Sequence, residues 1–203
     1  KIEIIYVNDG SSDKTLNYID RINFKNSNHT KKIISYKKNI GKGYACKKGV
    51  LEADYEWILL CDADMATSPK QINTWFNEVS IKKNDICYFG SRNHIYSKVS
   101  TKISRRILGY VFNTILFLFF EVNISDTQCG FKLFHKTYAK KVFNKLTSYR
   151  FTFDIEIIQI MNFYNIEIVE LPIEWVHKEG SKLNLFTDPI KMILDLLILR
   201  FRK

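Results

Sequence analysis

Proline is almost missing from this chain, with 3 in 203 residues, and glycine is sparse at 8. So little of either excludes collagen-like, Pro-rich linker and low-complexity states. Hydrophobic residues make up 46%, which excludes disorder and allows one domain of ordinary size to bury a sizeable core. No apolar run approaches the ~20 residues that a helix needs to cross a bilayer, and no stretch reads as a signal peptide. The four cysteines, at 46, 61, 87 and 129, lack the paired spacing of a zinc site, so reduced thiols in a cytosol-facing domain are expected. Acidic residues are outnumbered, 21 against 31 Lys and Arg, and the net charge of +10 calls for an anionic partner. Nucleic acid, acidic lipid headgroups and phosphorylated substrates qualify, but the basic residues are scattered and form no recognisable nucleic-acid-binding motif. The chain begins at Lys1, almost directly in a strand, and reads as a portion of something longer.

What is present centres on Leu59-Leu60-Cys61-Asp62-Ala63-Asp64, an apolar run that ends in two carboxylates one residue apart. A helix follows, with Ser68 as N-cap, Pro69 at its first position and Gln71 completing a capping pattern. Ile72, Trp75, Phe76 and Val79 repeat at helical spacing and give it one buried face. Asp62 and Asp64 therefore fall at the C-terminal lip of a buried strand, where open α/β sheets bind ligands. On an extended chain both side chains point the same way. Two like charges so placed are a polar turn or, with a hard Mg²⁺ or Mn²⁺ ion between them, a metal site.

Three further short apolar runs read as strands: residues 2–7, 33–36 and 86–89. The first ends in Asn8-Asp9-Gly10-Ser11-Ser12-Asp13, where Ser11 or Ser12 caps a helix carrying Leu16, Ile19 and Ile22. Asp9 is either a turn residue or a carboxylate that accepts hydrogen bonds from a base or ribose. The second is followed by Asn39-Ile40-Gly41-Lys42-Gly43, whose glycines around a lysine at a helix start suit an anion. The last ends in Gly90-Ser91-Arg92. Alternating strands and helices predict a parallel sheet covered on both faces, with its polar strand ends forming one cleft.

From Ser97 onward the character changes. Lys98, Lys102, Arg105 and Arg106 precede an apolar stretch, 107–122, too short to span a bilayer but able to lie in its interface or serve as a core helix. Ser125-Asp126-Thr127-Gln128-Cys129-Gly130-Phe131-Lys132 reads as a substrate loop or a simple turn, its density of hydrogen-bonding groups suiting the first. It is followed by a basic helix over 136–146, a helix beginning at Phe151-Thr152-Phe153-Asp154 and a strand over 167–176. Asp188-Pro189 opens an apolar C-terminal helix ending in Arg200, Arg202 and Lys203, so the expected division is a catalytic domain, 1–184, and a membrane-proximal amphipathic helix, 185–203.

In order and spacing these blocks, together with Phe153-Asp154-Ile155-Glu156, Glu174-Trp175 and Gly180-Ser181-Lys182, resemble the inverting family 2 glycosyltransferases of the GT-A fold, and among them the polyprenyl-phosphate glucosyltransferase branch. The resemblance implies a Rossmann-like, mostly parallel α/β sheet, here without the family's first strand. It implies metal-dependent transfer of a hexose, glucose first, from a UDP-sugar to a polyprenyl (dolichyl-type) phosphate at a membrane surface facing the cytosol. By the same resemblance Asp9, Lys42, Gly43, Asp62 and Asp64 bind the donor, and Asp62 and Asp64 hold Mg²⁺ or Mn²⁺. Arg92, Gln128 and Lys132 meet the acceptor phosphate, and Asp126 joins Arg92 and Lys132 in catalysis. Position 66 is Ala and offers no third side-chain ligand. The rival readings are a nucleotidyltransferase, which would release pyrophosphate, a non-catalytic sugar-nucleotide-binding or scaffold module, and a basic nucleic-acid binder with steeply salt-dependent affinity.

Overall fold

The computed structural model describes residues 1–78, 81, 86–100, 114, 116, 122–150 and 152–178. Its elements run β1 (Ile2–Asp9), α1 (Thr15–Asp20), β2 (His29–Tyr36), α2 (Lys42–Glu52), β3 (Trp57–Leu60), α3 (Gln71–Glu78), β4 (Ile86–Ser91), β5 (Lys98–Ser100), β6 (Lys132–His135), α4 (Lys136–Lys145), α5 (Phe153–Phe163), β7 (Glu167–Pro172) and β8 (Glu174–Val176). The segment 107–122, apart from helical Thr114, helical Leu116 and the buried Val122, lies outside the described residues, as do Arg105-Arg106, Gly180-Ser181-Lys182 and the whole of 185–203. Among the described residues no helix is long and apolar enough to cross a membrane.

The central sheet has four strands in the order β3-β6-β4-β7. Its alternation fixes two cores, because successive side chains of a strand point to opposite faces. Cys87 and Phe89 of β4, Ile58 of β3 and Phe134 of β6 join α2, α4, α5 and Leu116 in one cluster. Ile86, Tyr88 and Leu133 face the other way and pack with Trp75 of α3, Phe131 and Leu171. Every residue of β4 is buried, as expected of a strand covered on both sides. β1 and β2 pair in parallel, as do β4 with β7 and β5 with β8.

The sheets are mostly parallel, as expected, and β6 departs from this by running antiparallel to both β3 and β4. Four readings of the sequence need correction. Lys132 sits in a strand, with 1% of its surface exposed, and not in a substrate loop. The stretch 167–176 is two strands, β7 and β8, and the second leaves the central sheet to pair with β5. Neither serine caps α1: the Asp13 carboxylate accepts from the Thr15 amide at 2.9 Å, while Ser11 donates its amide to Asn8 Oδ1. Before α3, Ser68 does act as expected, its Oγ accepting from the Lys70 amide. Gln71 does not reach back to it, because its Oε1 accepts instead from the amide of Glu174.

Candidate active site

The ends of β1, β3, β4 and the segment 125–132 build the site. At the end of β1 the Asp9 carboxylate accepts from the amides of Ile40, at 2.8 Å, and Gly41, at 2.9 Å, and from Asn39 Nδ2 at 2.9 Å. The amides that the sequence offers to a phosphate are thus partly taken by Asp9 itself, and a negative charge at the start of α2 also matches the helix dipole. Gly41 adopts a φ of 132°, open to glycine alone without strain, and its Cα lies so close to the Tyr149 carbonyl that no Cβ fits. Gly43, expected at the donor, is also closely packed: a Cβ there would meet the Ser148 carbonyl at 2.5 Å and Phe153 Cβ at 2.6 Å. Beside Asp9, burial first and the carboxylate's charge second push the Tyr36 phenol well above its ordinary value.

One residue past Gly41, the Lys42 ammonium reaches across to Asp62, with Nζ 2.6 Å from Oδ1. Burial works against that ammonium, but the charges of Asp62 and Asp154 outweigh it and raise its pKa. The acidic pair does not continue the strand. Residues after Leu60 turn sharply: the Met65 amide donates to the Asp62 carbonyl, and Met65 has a φ of 53°, unusual for a residue with a side chain. Asp62 packs on Gly130, while Asp64 is exposed and accepts from the Ala66 amide through Oδ1. The extended-chain argument for parallel side chains therefore fails, although both carboxylates still crown the end of β3.

A shallow cleft, about 260 Å³ with the open space at its mouth included, lies beside Asp62, lined by Lys42, Asp62, Gly130, Lys132, Phe153 and Asp154 among others. Its four charged groups alternate in sign. Lys132 Nζ forms a short contact with Asp154 Oδ1 and donates to the Thr127 carbonyl at 3.1 Å. Burial raises the Asp154 pKa, against the opposing pull of Lys132 and then Lys42. Cys46 and Cys61 also line the cleft, and burial pushes their thiols up to about 12 and about 11. Both are poor thiolates at neutral pH, and all four cysteines are free.

On the far side of Asp62, Arg92 grips Asp126. Its Nε donates to Oδ2 and its second terminal nitrogen to Oδ1, both at 2.7 Å, and its amide donates to Oδ2 at 2.8 Å. Burial alone would raise the Asp126 pKa, but the Arg92 charge and these hydrogen bonds outweigh it and hold the carboxyl below its ordinary value. Asp126, expected among the catalytic groups, thus has both carboxylate oxygens paired with Arg92. Glu170 of β7 sets the segment in turn, its oxygens accepting from the amides of Ser125 and Asp126 and from the Ser125 hydroxyl. Gln128 is half-buried in the same segment.

Asp154, Glu170 and Thr67 escape the sequence reading. Asp154 and Glu156 belong to the Phe153-Asp154-Ile155-Glu156 block, to which the sequence alone assigns no role. Glu156 accepts from the amides of Thr147 and Ser148, which hold the loop that packs on α2. Among the described residues no group of three or more His, Cys, Asp or Glu is placed to hold a metal ion. Two carboxylate side chains at the cleft mouth, with the remaining positions left to phosphate oxygens and water, fit the hard-ion chemistry of Mg²⁺ or Mn²⁺.

A mostly parallel α/β sheet with an acidic pair and basic groups gathered at its strand ends is the arrangement expected of the GT-A fold. The chain belongs to glycosyl transferase family 2, whose pattern matches residues 1–143. Dolichyl-phosphate beta-glucosyltransferases are similar to it: that of Dictyostelium discoideum is 37% identical over 98% of this chain, that of Saccharomyces cerevisiae 35% and that of Homo sapiens 34%, each over 98%. The chain spans 63% to 64% of the length of these curated relatives. Among solved structures, a mycobacterial protein shares the fold with a TM-score of 0.67 at 13% identity, covering 97% of this chain and 64% of that one. Glucosyl-3-phosphoglycerate synthase of Mycobacterium tuberculosis, solved with Mn²⁺, UDP and phosphoglyceric acid, has a TM-score of 0.61 at 9% identity, covering 98% of this chain and 78% of that one.

Proposed function

We propose that this chain carries a catalytic domain, 1–184, that transfers glucose with inversion from UDP-glucose to a dolichyl-type polyprenyl phosphate at a membrane surface facing the cytosol. One observation carries the reading: Asp62, Lys42 and Lys132 converge on a single cleft, in a chain whose relatives are dolichyl-phosphate beta-glucosyltransferases along 98% of its length. Such a reaction brings together two anions, a leaving diphosphate and an incoming phosphate, and needs cations on both sides of the sugar. Lys42 serves the diphosphate, exchanging Asp62 for a phosphate oxygen. Arg92, with its fork fixed by Asp126, meets the acceptor phosphate, Lys132 supplies positive charge from the cleft floor, and Gln128, in the loop that carries Asp126, offers a hydrogen-bonding group. The acceptor is a phosphate monoester with a second pKa near ~6, already ionised at neutral pH, so no general base is required. That suits an Asp126 whose oxygens are committed to Arg92.

Asp62 and Asp64 are the residues that would hold Mg²⁺ or Mn²⁺, and the ion, when bound, neutralises the leaving diphosphate. The membrane side is assigned to the apolar stretches 107–122 and 190–203, with the basic residues around them facing anionic headgroups.

The test offers vesicles containing dolichyl phosphate, Mg²⁺ or Mn²⁺ and a panel of labelled nucleotide sugars to the complete protein. Transfer of label from UDP-glucose into an acid-labile lipid, with release of UDP and loss on Asp64→Asn, supports the reading. Release of pyrophosphate supports a nucleotidyltransferase, and binding without turnover supports a non-catalytic module.

A further inference from the structure

Buried hydroxyls almost always find a partner, and in folded proteins each exception asks for a reason. Among the described residues four buried side-chain polar atoms lack one: His29 Nδ1, Tyr36 Oη, Thr67 Oγ1 and His135 Nδ1. Of these, only Thr67 lines the recess beside the acidic pair, and it is 6% exposed. A threonine hydroxyl can usually rotate onto a nearby backbone carbonyl. This one is held where it does not.

The surrounding backbone explains why. Thr67 bridges antiparallel to Trp175, and the neighbouring Ala66 carbonyl accepts from the Val176 amide at 2.9 Å. The loop that presents Asp62 and Asp64 is thereby stitched to β8, and the left-handed Met65 is held within it. Local strain of this kind persists where the surrounding structure over-determines it, often at ligand sites.

The recess has about 190 Å³ of space open at its mouth, with walls that include Asp62, Gly130, Phe131 and Trp175. Most of that space lies outside the walls, and the interior has room for about one water-sized group, so it suits a single hydroxyl of a ring lying across the mouth and not a ring inside it. Its position is equally telling. Asp62 marks the diphosphate side, and the Arg92 guanidinium, 5.7 Å from the centre of the Trp175 ring, marks the acceptor side. In a direct transfer the moving sugar lies between those two phosphates.

We propose that Thr67 is a specificity-determining residue whose hydroxyl pairs with a hydroxyl of the donor's hexosyl group, the ring lying across the mouth of the recess between Asp62 and Trp175 and sending that hydroxyl in. The inference rests on the transferase reading above and adds a sugar contact to it. A hydroxyl both donates and accepts, so it can read a sugar hydroxyl in either sense.

The test compares Thr67→Val, which keeps the shape and removes the hydroxyl, with Thr67→Ser, which keeps it. Affinities of the complete protein for UDP and for UDP-glucose are measured by calorimetry with Mn²⁺, alongside kcat/KM for transfer to dolichyl phosphate and the melting temperature. Thr67→Val is expected to lower UDP-glucose affinity and kcat/KM by about 10- to 100-fold, to leave UDP affinity within about two-fold and to leave the melting temperature unchanged or higher. Thr67→Ser is expected to stay near wild type. A Thr67→Val protein with unchanged UDP-glucose affinity, or one that loses UDP affinity equally, overturns the proposal. So does a wild type that binds UDP-glucose no more tightly than UDP. A wild type that binds UDP-glucose better than UDP, loses that margin on Thr67→Val and yet transfers nothing keeps the sugar contact and sinks the transferase reading.

Discussion

The Lys42 ammonium lies 2.6 Å from Asp62 Oδ1 and ties the first residue of α2 to the end of β3. Both side chains are about one-third exposed, 34% and 37%, so the pair adds little to stability. Its value under the proposed reaction lies in charge placement, with a cation parked on the residue proposed to face the donor. Lys42→Met is therefore expected to leave the melting temperature nearly unchanged and to weaken UDP binding about tenfold or more, the scale of a lost hydrogen bond to a charged group. Thermal melts and UDP titration check it. A large drop in melting temperature with intact UDP affinity would reverse the assignment.

Gly130 sets the position of Asp62. A Cβ at 130 would stand 2.0 Å from Asp62 Oδ2, and the obstructing atom is the end of a partly exposed side chain. The fold can accommodate Gly130→Ala by swinging that carboxylate away. Expected are a folded protein with native-like circular dichroism and a loss of Mn²⁺-dependent UDP binding, read by titration with and without the ion.

Lys132 and Asp154 form a buried pair with side-chain exposures of 1% and 7%. Removing one partner of such a pair leaves an uncompensated charge and costs about 3–5 kcal/mol, whereas neutralising both is far milder. Lys132→Met should melt well below wild type, and Lys132→Met combined with Asp154→Asn should recover most of the loss. Transfer activity should not recover with it, because the cleft floor has lost its cation. Denaturant melts and turnover of the double variant separate the two roles.

Asp126 carries a pH signature. Its folded-state pKa lies below the unfolded value of ~3.9, so its contribution to stability is complete well above that value and fades as pH falls through it toward the folded one. Asp154 shifts the other way, and its ionised form becomes less of a burden as pH falls. The melting-temperature gap between wild type and Asp126→Asn should be wide at pH 7 and shrink below about pH 4. A constant gap across that range would show that the carboxylate's charge is not what Arg92 holds.

Much of this architecture is legible in the residues. β1, β3 and β4 are apolar runs that stop at polar turns, and Asp9, Asp62 and Arg92 fall at those stops, while Lys42 follows β2 and Asp126 follows the apolar stretch 107–122. β6 is not legible because Lys132, in its first position, looks like a loop cation until Asp154, 22 residues away, is seen to neutralise it. The antiparallel insertion follows from that hidden strand. Thr67 is invisible for a different reason: nothing in a sequence shows which hydroxyl ends without a partner. Glu170 likewise reads as one alternating residue of β7 until the amides of Ser125 and Asp126 meet it.

The central claim is that the carboxylates closing β3 hold a divalent ion against the diphosphate of an activated sugar. A crystal of the complete protein grown with UDP and Mn²⁺, with the metal located by anomalous scattering, tests it most directly. The account predicts an ion between the diphosphate and Asp64, with Lys42 moved from Asp62 onto a phosphate oxygen. An anomalous peak elsewhere, or Asp62 and Asp64 turned away from the nucleotide, would contradict it.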